Sequence, residues 1–107
     1  MSEALISAVN MPVIESSGGI YGIEMLVCQA IVNNTYQLKN IPKLVYVWPQ
    51  EYFMTVSLNS DIRLFIQNSG STSGNNVNFI IDDNGLITLT SVGNSRTGTY
   101  FLFIFAY

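Results

Sequence analysis

Few residues in this 107-residue chain have side chains suited to catalysis, and histidine is absent from it. Histidine is the commonest general base and metal ligand, so Ser-His and Cys-His nucleophile pairs are excluded. The acidic residues include Glu15, Glu24, Glu51, Asp61 and the adjacent pair Asp82-Asp83. Glycoside hydrolysis needs two carboxylates at a set separation, and nothing in this spacing fixes one. We therefore predict a protein that is not an enzyme and binds no cofactor.

Three short motifs contain residue types used in metal, phosphate or thiol chemistry. The stretch DDNG at 82–85 contains oxygen ligands, but a calcium loop needs a glutamate six residues after its glycine, where Ser91 stands. Gly70 and Gly74 lack the lysine of a phosphate-binding loop. Cys28, the single cysteine, lies in the apolar run MLVCQAIV without a histidine or basic neighbour to favour its thiolate. We predict no metal site and an inert, buried Cys28.

Low charge characterises the whole chain. Charged residues make up 10% of it, whereas an average soluble domain has about 25%. The net charge is −3, and Lys39, Lys43, Arg63 and Arg96 are scattered, so they cannot neutralise a run of phosphates. We expect no nucleic-acid partner. A weakly charged surface is a poor barrier against contact between copies, which favours a homo-oligomer.

Two segments bear on localisation. The start, MSEALISAVN, has no basic region followed by an apolar core, so no secretory signal is expected. The longest strongly apolar stretch, YFLFIFAY at 100–107, is far shorter than a membrane helix of about 20 residues. Synthesis in a reducing cytoplasm, with no membrane span, fits both segments and the single cysteine.

Short apolar or β-branched runs separated by turn residues recur along the chain and predict β-strands. The runs are 4–9, 20–32, 35–39, 43–48, 52–58, 61–67, 77–81, 86–92 and 98–106. Strands at this spacing are typical of sandwiches and barrels. The predicted fold is all-β: a single antiparallel β-sandwich, immunoglobulin-like or jelly-roll-like, with about seven to nine short strands. One domain covers residues 1–107.

Two connections stand out. In IIDDNGLITLT, apolar runs flank 82–85, so we predict a tight hairpin with Asn84 and Gly85 in left-handed conformations. The polar stretch NSGSTSGNNVN at 68–78 lies between two strands, so it is a long inter-strand loop and not a linker between domains. It is either an exposed tip or a binding surface that includes Asn75 and Asn76.

The last strand is apolar on both sides. In TYFLFIFAY, alternation places the phenylalanines on one face and Tyr100, Leu102 and Ile104 on the other. Leaving Leu102 and Ile104 in water forfeits about 1.5–3 kcal/mol each. The second face is covered either by the chain itself or by another subunit. We favour the subunit, in a trimer or hexamer, with Tyr100, Leu102 and Ile104 at the interface.

A second aromatic group, which includes Trp48 and Tyr52, brackets Pro49. Aromatic side chains at a rim stack on sugar faces or anchor protein partners. Trp48 and Tyr52, with Asn75 and Asn76 of the polar loop, are therefore candidate contacts for a glycan or host surface. The alternative is that the aromatic residues only pack in the interior.

Four stretches together resemble a known class of proteins. IESSGGIYGIEM, YVWPQEYFMTVSLNSDIRLFIQ, NVNFIIDDNGLITLT and TGTYFLFIFAY are similar to small β-rich virion proteins of tailed bacteriophages and prophages, encoded among tail and tail-fibre genes. The resemblance lies in low charge, Asn/Ser/Thr-rich turns and a final aromatic strand, and carries over no functional residue. It implies a structural role in the virion, assembly with copies of itself and other virion proteins, and contact with the host surface. A capsid decoration protein is a further alternative.

Overall fold

Eight β-strands and no helix are present in the residues that the computed structural model describes, 22–48, 53–66 and 74–107. The strands are β1 (Ile23–Gln29), β2 (Thr35–Gln37), β3 (Leu44–Trp48), β4 (Met54–Thr55), β5 (Ile62–Phe65), β6 (Asn76–Ile81), β7 (Leu86–Val92) and β8 (Tyr100–Ala106). Each predicted run from 20–32 onward overlaps one of them. The run at 4–9 lies outside the described residues. The all-β prediction is confirmed.

The strands form two antiparallel four-stranded sheets. Sheet A has the order β1-β8-β3-β4, and sheet B has the order β2-β7-β6-β5. β8 is central in sheet A, where Met25 of β1 and Tyr46 of β3 flank Ile104 on its two sides. The strand with apolar residues on both faces is therefore internal to sheet A, and both of its backbone edges are paired.

The core lies between the two sheets and contains side chains from both. Phe101, Phe103 and Phe105 of β8 are buried in it with Phe79 of β6, whose ring centroid is 4.8 Å from that of Phe103. The other large, fully buried side chains of this core are Val45, Val47, Leu64, Val77, Ile81, Ile87 and Leu89. Each such burial contributes about 1.5–3 kcal/mol. The shared core makes the two sheets a single β-sandwich.

The hairpin predicted at 82–85 connects β6 and β7, but only one of its residues is left-handed. Gly85 has φ 78°, whereas Asn84 does not have a positive φ. The N–H of Gly85 donates to the Asp82 carbonyl at 3.0 Å, and the Asp82 carboxylate accepts the N–H groups of Asn84 and Leu86 at 2.9 Å each. This is a type I turn followed by a left-handed glycine, so the left-handed conformation predicted for Asn84 was wrong.

Candidate interaction surface

The outer face of sheet A is apolar in three consecutive rows across β1, β8 and β3. The rows are Val27–Leu102–Trp48, Met25–Ile104–Tyr46 and Ile23–Ala106–Leu44. None of these residues is charged. An antiparallel sheet that faces water usually has polar side chains on that side. This face therefore needs a cover over at least part of its area.

One end of the face is covered by the chain itself. Ile104 is 1% exposed and Ala106 and Tyr46 are also buried, with Phe53 packed against them. The ring centroids of Tyr46 and Phe53 are 5.2 Å apart. Ile104, predicted at an oligomer interface, is thus buried within a single copy and has no exposed area for a second subunit to cover.

The opposite end of the outer face of sheet A is exposed to solvent. We call it the apolar patch, and it consists of Met25, Val27, Trp48, Tyr100 and the half-buried Leu102. Val27 is 66% exposed, Trp48 56% and Tyr100 71%. The two aromatic side chains alone leave on the order of 100–150 Å² each in contact with water. Of the predicted interface residues, Tyr100 and Leu102 therefore lie in this patch.

The outer face of sheet B has the opposite character. Asn78 of β6 is buried, donates to the Asp61 carboxylate at 3.0 Å, and accepts from the Asn76 amide at 3.0 Å. Arg63 Nε also donates to Asn78 Oδ1, at 3.4 Å, and the Thr90 hydroxyl donates to Asp61. These polar side chains satisfy one another or face water, so this side of the sandwich needs no cover.

The candidate glycan residues are not brought together. Trp48 lies on the outer face of sheet A, whereas Asn76 lies on the outer face of sheet B. Asn75, just before β6, accepts a hydrogen bond from Arg96 Nε at 3.0 Å. Tyr52 lies outside the described residues, as do residues 68–73 of the polar loop. A glycan site on this face would therefore include Trp48 but neither asparagine.

Two members of the patch, Met25 and Val27, were not predicted from the sequence as surface residues. They lie in an almost continuous apolar run, in which no alternation separates an inner from an outer face. The outward orientation follows from pairing, because Met25 lies opposite Ile104 and Val27 opposite Leu102. The charge of Glu24 gives the opposite signal, because a carboxylate disfavours the core, yet Glu24 lies on the same side of β1 as Leu26 and the buried Cys28.

Cys28 is a free, buried cysteine. Burial raises the pKa of the Cys28 thiol to about 12, so the thiol stays protonated and is a poor nucleophile. Across 22–48, 53–66 and 74–107, no three His, Cys, Asp or Glu side chains cluster as a metal site would require.

A groove of about 510 Å³ runs beside β1, where the Glu24 carboxylate accepts the N–H of Lys39 at 3.0 and 3.2 Å.

Comparison of the chain with protein-family models, curated proteins and solved structures finds no match. Within the part of the chain that the structure describes, no helix has the length and apolar character needed to cross a membrane.

Proposed function

We propose that this chain is a non-enzymatic structural subunit that assembles with copies of itself through the apolar patch. The observation that carries the proposal is the contrast between the two outer faces. Sheet A exposes Val27, Trp48 and Tyr100 among uncharged neighbours, whereas sheet B exposes polar side chains that hydrogen-bond to one another. Large exposed apolar patches mark interaction sites.

The size of the patch agrees with a protein interface. Its exposed side chains present on the order of 400 Å² of surface. One partner buries about 800 Å² in an interface of standard size, so the patch forms the centre and its neighbours form the rim. Each large apolar side chain that becomes fully buried contributes about 1.5–3 kcal/mol, from which the entropy cost of association is subtracted.

We place this assembly in the virion of a tailed phage or prophage, associated with the tail or tail fibre. The support is the resemblance in low charge, Asn/Ser/Thr-rich turns and a final aromatic strand. The partners are then further copies of the chain, in a trimer or hexamer, and other virion proteins. A capsid decoration protein would present the same kind of surface.

A second candidate function is recognition of a host-surface glycan, and the exposure of Trp48 favours it. Trp48 and Tyr100 both lie on the open part of sheet A, and exposed aromatic rings stack on sugar faces. For this function, Trp48→Ala is expected to abolish binding on a glycan array and leave the melting temperature near the wild-type value. A large loss of stability would mark Trp48 as a packing residue instead.

The assembly proposal is tested by measuring mass with light scattering on a sizing column. The wild-type chain is expected as a discrete multiple of its 11.9 kDa monomer. Val27→Asp and Tyr100→Asp each place a carboxylate in the patch and are expected to reduce the mass, because a buried unpaired charge costs several kcal/mol. Thr35→Asp, the same introduced charge at an exposed position of β2, is the control and should keep the wild-type mass.

A monomeric wild-type chain would contradict the assembly proposal. Retention of the wild-type mass by both patch variants would also contradict it, because the interface would then lie elsewhere. Ile104→Asp is unsuitable for this purpose, since Ile104 is buried within one copy and a charge there would unfold it.

A further inference from the structure

β1 is an edge strand of sheet A, and one row of its backbone groups faces away from the sheet. Gly22 exchanges both backbone hydrogen bonds with Tyr107, at 3.0 and 3.1 Å, and Ala30 donates to Thr99 at 2.8 Å. Even-numbered residues of β1 therefore bond toward β8. The N–H and C=O groups of the odd-numbered residues point outward, because they alternate along an antiparallel strand.

One end of this edge is already closed. The Tyr36 hydroxyl accepts the N–H of Gln29 at 2.9 Å and donates to its carbonyl at 3.4 Å. Within the described ranges, the outward groups of Ile23, Met25 and Val27 have no hydrogen-bond partner. The open part of the edge thus has three residues, centred on Met25.

Among the side chains along this edge, Glu24 is the one charged group that opposes pairing, and its carboxylate already accepts the N–H of Lys39. Natural edge strands are commonly blunted by lysine, proline or a bulge, and β1 has none of these between 23 and 29. Met25 is 44% exposed and Val27 66%. A groove of about 510 Å³ lies beside this part of β1 and is also lined by Gln37, Lys39 and Asn40.

We propose that β1 pairs antiparallel with β1 of a second copy, about a two-fold axis that passes through Met25. In this register Met25 pairs with the partner's Met25, and Ile23 pairs with the partner's Val27. Two hydrogen bonds for each of the three pairs give about six in all. A register centred on Val27 would instead pair Met25 with the partner's Gln29. The backbone groups of Gln29 are already hydrogen-bonded to the Tyr36 hydroxyl.

A second copy fits this edge better than an unrelated strand, because the edge is complementary to itself. On the outer face, every side chain brought together by the register is apolar: Ile23, Met25 and Val27 meet the same three residues of the partner. On the inner face Glu24 lies beside the partner's Leu26, so the two Glu24 carboxylates are not directly opposite. The result is a continuous eight-stranded sheet with an isologous interface.

This contact deepens the proposed self-assembly but uses a different surface. The proposed function rests on the face of sheet A, whereas the second-copy contact uses the backbone edge of β1. Met25 and Val27 belong to the apolar patch and also lie along the open edge of β1. Pairing along the edge therefore extends the apolar patch across two copies. Because the edge contact joins copies two by two, two face trimers joined through it form a hexamer with twice the trimer mass, and a wild-type trimer would contradict the edge contact.

Met25→Pro tests the edge contact. Proline removes the N–H at the centre of the register, and that N–H faces outward, a position at which edge strands tolerate proline. We expect the light-scattering mass to fall to half the wild-type value, with an unchanged far-ultraviolet circular dichroism spectrum. An unchanged mass would overturn the proposal.

A cysteine cross-link tests the register without relying on proline. In the proposed pair the Met25 Cα atoms lie about 5.5 Å apart, within disulfide range. In the same register the Val27 Cα atoms of the two copies lie four residues apart along the strands. This separation of about 13 Å is too large for a disulfide bond. Under mild oxidation Met25→Cys is expected to form a covalent dimer on a non-reducing gel, whereas Val27→Cys and the wild-type chain, whose Cys28 is buried, remain uncrosslinked.

The outcomes separate this proposal from the proposed function. If Met25→Pro keeps the wild-type mass and Met25→Cys does not cross-link, the edge proposal fails, whatever Tyr100→Asp does. If Met25→Cys cross-links while Tyr100→Asp keeps the wild-type mass, the edge contact stands and the face contact fails. Equal cross-linking of Met25→Cys and Val27→Cys would indicate random collision and overturn the register.

Discussion

Two residues with the same predicted role, Ile104 and Tyr100, have different surroundings in the folded chain. Both lie on the outer face of β8, four residues apart. Ile104 lies between Met25 and Tyr46 and is 1% exposed, whereas Tyr100 lies at the end of the sheet and is 71% exposed. Alternation along a strand predicts the face of a side chain, but neighbouring strands decide whether that face is covered.

At the same scale, Cys28 should make stability depend on pH. Its thiol has an ordinary pKa of 9.0, and burial raises the pKa to about 12 in the folded chain. Below pH 9 both states are protonated, so this group has no effect. Between pH 9 and 12 the unfolded chain loses the proton first, and stability falls as pH rises.

Urea unfolding of the wild-type chain and of Cys28→Ala at about pH 8 and pH 10.5 checks this prediction. The wild-type chain is expected to lose about 1–2 kcal/mol more than the variant over that interval. The variant is the matched control for the tyrosines and lysines that titrate in the same range. Equal losses in the two proteins would show that Cys28 is ionised in the folded state.

At the scale of elements, the β6–β7 hairpin shows how a turn sets the pairing of its strands. Asp82 closes the loop with its carbonyl and carboxylate, and Gly85 supplies the left-handed residue at φ 78°. The hairpin then brings Phe79 opposite Leu89, and both side chains are fully buried in the core. A local sequence signal thus aligns two strands that form the middle of sheet B.

Gly85→Ala should destabilise the protein by about 1–2 kcal/mol, because an L-residue is strained at this φ. A Cβ at Gly85 would have its nearest neighbours at 3.5 Å, so crowding adds little to the cost. Asn84→Ala, at the position without a positive φ, is the control and should change the free energy of unfolding by less than about 0.5 kcal/mol. A larger effect of Asn84→Ala than of Gly85→Ala in thermal unfolding would contradict this turn assignment.

At the scale of the whole molecule, the two sheets divide the surface into an uncharged side and a polar side. The chain has 10% charged residues, and none lies in the apolar patch. In the proposed assembly, association through this patch is driven by removal of apolar area from water, and not by pairing of opposite charges.

The proposed assembly is therefore expected to be insensitive to salt. Its dissociation constant should change less than about threefold between about 0.05 and 0.5 M sodium chloride, since screening acts on charges. Sodium sulfate should strengthen it, because excluded salts favour burial of apolar surface. Sedimentation velocity at several protein concentrations measures both effects. Marked weakening by sodium chloride would point to a charged interface on another surface.

Much of the fold could be predicted from local patterns. Within the described residues, all eight predicted runs overlap a strand, and the hairpin at 82–85 is where it was expected. The prediction that the phenylalanines of β8 share one face was also correct, since Phe101, Phe103 and Phe105 are all buried in the core. These features depend on side-chain alternation and turn chemistry within about ten residues, which the sequence contains in full.

The order of the strands and the position of the candidate site followed from the tertiary structure. β1 pairs with β8, more than seventy residues away, and only that pairing places Met25 and Val27 beside Leu102. The arrangement of the two sheets places Trp48 and Asn76 on opposite faces of the sandwich and, among the described residues, leaves the outer edge of β1 without a partner strand. Pairing between distant segments is selected by packing of the whole chain, and a one-residue shift would reverse every face. Local sequence therefore specifies which residues form strands, while long-range packing decides which apolar side chains remain exposed.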